Sequence, residues 1–277
     1  MSTTTPTITT ALSDGVRDSA TMLGRNLRHM VRYPSLTLML IGQPILFLLL
    51  FVYVFGGTMG AGLPGGSGDV GAGQGRADYL AYIAPAILIM TVASVALSTA
   101  IYIAKDATEG IIDRFRTMPI AKASVLTGHV LAALLQTAAA VVAVLAVTLL
   151  LGYRPGAGVT GWLGAVGVLL LLAIALTWLC LALGLAAGSV ETASNSPMFL
   201  MIMPFISSGF VPTDSMPSGL AWIAENQPFT PVIDTLRACL AGTSPGSAGW
   251  WAAGWCLLIA GASYAWARRL FAATRAG

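Results

Sequence analysis

Six stretches of this chain carry no charged side chain: 34–56, 80–104, 123–151, 161–188, 196–212 and 248–267. A helix of about 20 apolar residues crosses ~30 Å of hydrocarbon, so the pattern predicts six membrane-spanning helices. The fifth is short and ends in a proline-interrupted region. Gly-rich sequence around Pro64, Ser67 and Asp69 between the first two spans predicts a flexible loop. No connecting segment is long enough to fold alone, so residues 1–277 form one membrane domain.

Between the spans the pattern changes twice to that of an amphipathic helix. Over 14–33, Val16, Leu23, Leu27 and Met30 share one side of a helical wheel, and Arg17, Arg25, Arg28 and Arg32 share the other. This predicts a helix lying in the membrane interface, its arginines at anionic headgroups, before the chain turns at Pro34 into the first span. A plain anchor is its simplest role. Over 105–118, Ala107, Ile111, Phe115 and Met118 lie opposite Lys105, Asp106, Glu109, Asp113 and Arg116, and Pro119 ends the helix. A loop that merely joins two spans does not need this density of charge. A short helix with one apolar and one charged face suits a groove on a soluble partner, with Ile111 and Phe115 as anchors and Glu109, Asp113, Arg114 and Arg116 around Gly110 fixing register. The alternative is a solvated loop.

Residues 213–241 are too polar to cross the bilayer, holding Asp214, Glu225, Asp234 and Arg237 among Pro212, Pro217, Pro228 and Pro231. Thr230 as N-cap, Pro231 in the first turn and Gly242 as C-cap predict a helix of about half a membrane's thickness. With the short fifth span this gives a re-entrant helix pair before the last span. Asp234 and Arg237, three residues apart, can satisfy each other as a structural ion pair.

Composition fixes the class. Apolar residues make up 56% and charged residues 9%, against the ~25% charged of a soluble domain, which excludes a water-soluble fold. The net charge of +3 forms no basic face, so nucleic acid is not an expected partner. Eleven of the 14 Lys and Arg residues fall on one side if the N-terminus is cytosolic, leaving Arg76, Arg154 and Arg237 outside. The positive-inside rule then puts both termini in the cytoplasm. The first residues lack the pattern of a cleaved signal peptide.

A catalytic centre is not expected. His29 and His129 stand in no metal-binding pattern, and Cys180, Cys239 and Cys256 read as small core residues. Lys105 and Lys122 are the only lysines, and neither sits in a phosphate-cradling G-x-x-x-x-G-K-[ST] loop. No Asp, Glu, Lys or Arg lies inside a span, which disfavours ion-coupled antiport and suits a lipophilic or amphiphilic solute. The G-x-x-x-G from Gly184 to Gly188 permits close helix approach, although chance suffices in so glycine-rich a chain.

Three stretches carry a family likeness: Asn26 to Phe55 with Pro34 and Gln43-Pro44; Glu109-Gly110 through Pro119-Ile120; and Ser207-Ser208-Gly209-Phe210-Val211-Pro212 through Gln227-Pro228-Phe229-Thr230-Pro231 to Leu236-Arg237. In them the chain resembles the type-2 permeases of ATP-binding-cassette exporters, within them the daunorubicin/doxorubicin-resistance permease B branch. The resemblance implies six spans, an N-terminal interfacial helix, a cytosolic coupling helix at 105–118 and a re-entrant pair. It implies a homodimer in a bacterial inner membrane, docked on two copies of a separate ATPase that bind Mg-ATP, with no cofactor on this chain. Export of a drug, antibiotic or lipid-like molecule follows from it, with Gln43, Phe47, Phe205, Ser207, Ser208 and Phe210 as candidate path-lining positions at the seam between subunits. Ordinary helix packing is the other explanation for those six. A membrane scaffold without transport and an ion-coupled antiporter remain the alternative functions.

Overall fold

The computed structural model describes residues 34–56, 72–110 and 122–273. The expected interfacial helix with Arg17, Arg25, Arg28 and Arg32 lies outside the described residues. So do Ile111, Asp113, Arg114, Phe115 and Arg116 of the expected coupling helix.

Among the described residues the fold is all helix, with no strand. Long helices cover five of the charge-free stretches: α1 (Pro34–Leu50, continued by a π-helical turn Phe51–Phe55), α2 (Ala72–Thr108), α3 (Lys122–Leu150), α4 (Val159–Ala186) and α9 (Gly246–Ala273). Of the described helices, those over Gly75–Thr108, Leu126–Leu150 and Val159–Ala186 are long and apolar enough to cross a membrane, and Met39–Phe55 is apolar but shorter. The chain is a membrane protein.

Helix α2 is the centre of the bundle. Its apolar window is 83% buried, against 39% and 44% for α3 and α4, because α1, α3, α4 and the later segments all pack on it. Apolar residues on every side of α4 fit a helix that meets protein on one face and lipid on the other. Gly184 lets α4 cross α2 closely: a Cβ there would lie 2.5 Å from the Ala100 carbonyl oxygen, whereas Gly188 has open space around it. Only the first glycine of the G-x-x-x-G pair therefore marks a close crossing.

The bundle has two ends. At its base Ile103, Leu126, Leu181 and Ala267 cluster, joining the ends of α2, α3, α4 and α9. At its top the first half of α2 meets the later short segments, Tyr82 bonding to Ser208 and Arg237 and Ala86 lying against Gly209.

The fifth charge-free stretch is not one helix. After the short α5 (Val190–Asn195), which carries Glu191, it is divided into a 3-10 turn Ser196–Met198, α6 (Phe199–Ile202) and a second 3-10 turn Met203–Ile206. Pro197 and Pro204 sit in the two 3-10 turns, where their missing N–H groups interrupt the α-helical ladder. Beyond lie α7 (Ser218–Asn226) and α8 (Phe229–Ala241).

A second difference concerns the charged segment that the sequence reads as one helix from Lys105. Residues 105–108 are instead the last turn of α2, and Gly110 takes the left-handed conformation at φ +69°. Glu109 N–H donates to the Lys105 carbonyl at 2.9 Å and Gly110 N–H to Ala107 at 3.2 Å, closing α2 in the way glycine favours. A helix cannot run through that φ value, so the helix read from Lys105 is interrupted at Gly110.

Candidate functional site

The short segments at the top of the bundle converge on an elbow at residues 207–210. The 3-10 turn ends at Ser207, whose backbone is extended with ψ −179°. The Ser207 hydroxyl donates to the Pro204 carbonyl at 2.5 Å and accepts from Gly209 N–H at 3.1 Å, so one side chain supplies the bonds the broken helix lost. Gly209 then presses on α2: a Cβ there would be 2.7 Å from the Ala86 Cβ and 3.1 Å from Ile233 Cδ1.

Helix α8 begins one residue before Thr230, which therefore lies inside its first turn and is not its N-cap. The Thr230 hydroxyl donates to the Ala224 carbonyl of α7 and accepts from Ser208 N–H at 3.4 Å. At the other end Gly242 closes the helix at φ +76°, with Gly242 N–H on the Cys239 carbonyl at 3.2 Å and Thr243 N–H on Ala238 at 2.9 Å. Val232, Ile233 and Leu236 are fully buried and fix α8 in the core.

That packing aims Asp234 and Arg237 at the elbow. Arg237 Nη1 lies 2.8 Å from Asp234 Oδ1, the geometry of a direct ion pair. Arg237 Nη2 donates to the Ser208 carbonyl at 2.8 Å and to the Tyr82 carbonyl at 3.4 Å, and its guanidinium carbon sits 4.1 Å from the centre of the Tyr82 ring. The Tyr82 hydroxyl donates to the same Ser208 carbonyl at 2.8 Å, and the Ser208 hydroxyl donates to Asp234 Oδ1 at 2.8 Å. Three elements far apart in sequence thus share two acceptors. Nearby, burial raises the Tyr153 phenol above its usual 10, more than the Arg237 charge lowers it.

On its other side the elbow carries an aromatic cluster. Phe210 stacks on Phe205 with centroids 4.7 Å apart and an interplanar angle of 12°, and lies 4.8 Å from Phe51. Phe47 meets Phe205 edge-on at 5.7 Å, and Phe55 lies 5.5 Å from Phe51. The structure therefore groups Phe47, Phe205, Ser207, Ser208 and Phe210. It leaves Gln43 apart, exposed on α1 in a stripe with Met39, Leu46 and Leu50.

At the base, Lys105 Nζ lies 3.8 Å from Glu109 Oε1, both exposed. Asp106 does not belong to that charged surface. It is buried, with Oδ2 3.3 Å from His129 Nε2, which ties α2 to α3 just before Gly110.

Tyr82 and Phe51 are given no role by the sequence, which marks Thr230 only as a helix cap and His129 only as standing in no metal-binding pattern. Tyr82 looks like one more residue of an apolar span, and no periodicity relates position 82 to position 237. Among the described residues, no group of three or more His, Cys, Asp or Glu is placed to hold a metal ion.

A family model described as ABC-2 type transporter matches residues 18–241 of this chain. The chain belongs to the ABC-2 type transporter family. The region shared with ABC-2 type transporters takes in α1 to α8, including the elbow and the Asp234–Arg237 pair, and stops at the last residue of α8. A curated relative, the daunorubicin resistance ABC transporter permease protein DrrB1 of Streptomyces coeruleorubidus, is 28% identical over 259 residues, covering 90% of this chain and 86% of the relative.

Proposed function

We propose that this chain is the membrane-spanning permease subunit of an exporter that moves a lipophilic or amphiphilic drug-like molecule out of a bacterial cell. ATP is hydrolysed on a separate ATPase subunit. The match over 18–241 is the observation that carries this reading, and the relative's name supplies daunorubicin as the first compound to test. The aromatic cluster supports the solute class, since Phe47, Phe51, Phe205 and Phe210 offer apolar ring faces without a fixed charge.

In this reading the chain spans the membrane six times, counting α1, the broken 196–212 segment and α9, and residues 213–241 re-enter from the outer face. The base of the bundle faces the cytoplasm and both termini lie there. Two copies pair. The α1 stripe supports that pairing, because an exposed Gln43 amide in hydrocarbon costs free energy that a facing protein surface offsets. Each copy docks on one ATPase subunit through Glu109 and the segment beyond Gly110, with Phe115 and Ile111 as anchors. Closure of the ATPase pair on Mg-ATP pushes this segment. The push passes into α2 and α3, which the Asp106–His129 contact joins at their base.

Affinity purification tests the reading. The tagged chain should bring down a Walker-motif ATPase whose hydrolysis is stimulated by daunorubicin and falls sharply on Glu109→Ala or Phe115→Ala. Full stimulation after both changes refutes the docking segment. Daunorubicin movement that continues without ATP and stops when the proton gradient is collapsed replaces the exporter with an antiporter. Reaction of single cysteines at 111–118 with an impermeant reagent added outside refutes the orientation.

A further inference from the structure

Arg237, Asp234, Ser208 and Tyr82 are arranged more tightly than a structural ion pair requires. The Ser208 carbonyl takes both the Tyr82 hydroxyl and Arg237 Nη2, and Asp234 Oδ1 takes both the Ser208 hydroxyl and Arg237 Nη1. When Ser208 moves, donors on α2 and α8 lose their acceptor together, so the cluster holds or parts as a unit.

What it clamps is the least regular part of the top. The elbow is a 3-10 turn, an extended serine and a glycine, with few backbone bonds of its own. Helix α8, by contrast, is fixed by its buried Val232, Ile233 and Leu236. Residues 207–210 are buried as well, but they have no regular helix to hold them, so the elbow is the part that can shift while α8 stays.

Parting is affordable because the polar groups have somewhere to go. The side chains of Arg237 and Asp234 are 25% and 40% exposed beside a groove of about 290 Å³ lined by Asp234, Arg237, Ala238, Ala241 and Thr243. Water there can replace the Ser208 bonds. Arg237 Nε is buried without a hydrogen-bond partner even with the cluster closed, so the closed arrangement does not saturate the guanidinium. Two residues past Ser208, Phe210 is stacked on Phe205 and packed on Phe51, so displacing either ring pulls on the same elbow.

We propose that Tyr82, Ser208, Asp234 and Arg237 form a lock that holds the elbow against α2 and α8 and keeps the outer end of the path shut, and that the lock opens once in each transport cycle to release the solute. The inference rests on the exporter reading. The four are positioning residues: they set the elbow and do not bind the solute.

The test is amide hydrogen exchange on the complex with its ATPase in lipid nanodiscs, without nucleotide and after trapping with ATP and vanadate. In the resting state Ser208 N–H is held by Thr230 and Gly209 N–H by Ser207. Trapping should speed exchange across 207–211 by at least about tenfold, the loss of one to two hydrogen bonds. Tyr82→Phe, which keeps the ring under Arg237 and removes one donor, should speed it roughly fivefold without nucleotide. Arg237→Lys, which keeps the charge but not the forked geometry, should do the same and serves if Tyr82→Phe fails to assemble. In both variants daunorubicin-stimulated ATP hydrolysis should persist while transport per ATP falls. Changed exchange at 105–118 with unchanged exchange at 207–211 on trapping overturns the lock and leaves the exporter standing. Nucleotide-insensitive exchange in both regions overturns both.

Discussion

Replacing Gly209 by alanine tests the close approach that seats the elbow on α2. The new Cβ would lie 2.7 Å from the Ala86 Cβ and 3.1 Å from Ile233 Cδ1. Carbon atoms pack best at about 3.5–4.0 Å, so elbow and helix must separate by about 1 Å. Overpacking of that size costs about 2 kcal/mol. Ile233 Cδ1 is the end of a flexible side chain and can turn away, whereas Ala86 Cβ is rigidly attached to α2. The strain should therefore be carried by Ala86, and removing that methyl should relieve it. Ala86→Gly alone costs about 1 kcal/mol from the lower helix propensity of glycine. Were the two sites independent, the double variant would lose about 3 kcal/mol; with the methyl groups in collision it should lose about 1 kcal/mol, close to Ala86→Gly alone. The measurement is reversible unfolding in mixed micelles as dodecyl sulfate is raised, followed by tryptophan fluorescence, which the 7 Trp residues make practical. Additive losses would mean that the elbow does not sit on Ala86 and that the account of Gly209 is wrong. A daunorubicin transport assay on the same variants should show Gly209→Ala impaired and the double variant recovered.

Three further outcomes follow from the same geometry. Arg237→Ala strips Asp234 of its partner and the Ser208 carbonyl of one of its two donors, and should lower unfolding stability by about 2 kcal/mol in the same micelles; a loss under about 0.5 kcal/mol would show that the cluster holds nothing. Phe210→Ala removes the stack with Phe205 and the contact with Phe51, and should raise the daunorubicin concentration for half-maximal ATPase stimulation roughly tenfold, while an unchanged value would place the solute elsewhere. Because burial lifts the Tyr153 phenol above 10, the folded chain keeps a proton that the unfolded chain loses. That contribution is complete below about pH 10 and is lost as pH rises further, so Tyr153→Phe should flatten the fall in stability on the alkaline side; an unaltered slope would show that Tyr153 titrates as in water.

Gaps in the charge pattern fall on the helices α1, α2, α3, α4 and α9, and α2, α3 and α4 are long and apolar enough to cross a membrane, because hydrocarbon tolerates few unpaired charges and a helix satisfies its own backbone. Local rules also reached Gly242, where a left-handed residue is needed to close α8. They marked the fifth stretch as short, but not its division into short turns at Pro197 and Pro204. They also ran a helix through Gly110 on the strength of its amphipathic pattern, although that glycine closes α2. The partnerships lay beyond sequence reach: Tyr82 with Arg237, Asp106 with His129 and Phe51 with Phe210 join residues whose own segments look complete without them. Solvent preference and backbone hydrogen bonding act along the chain and can be read from it. Side-chain partners are chosen by which helices come within a few ångströms of one another, and that follows from packing the whole bundle around α2.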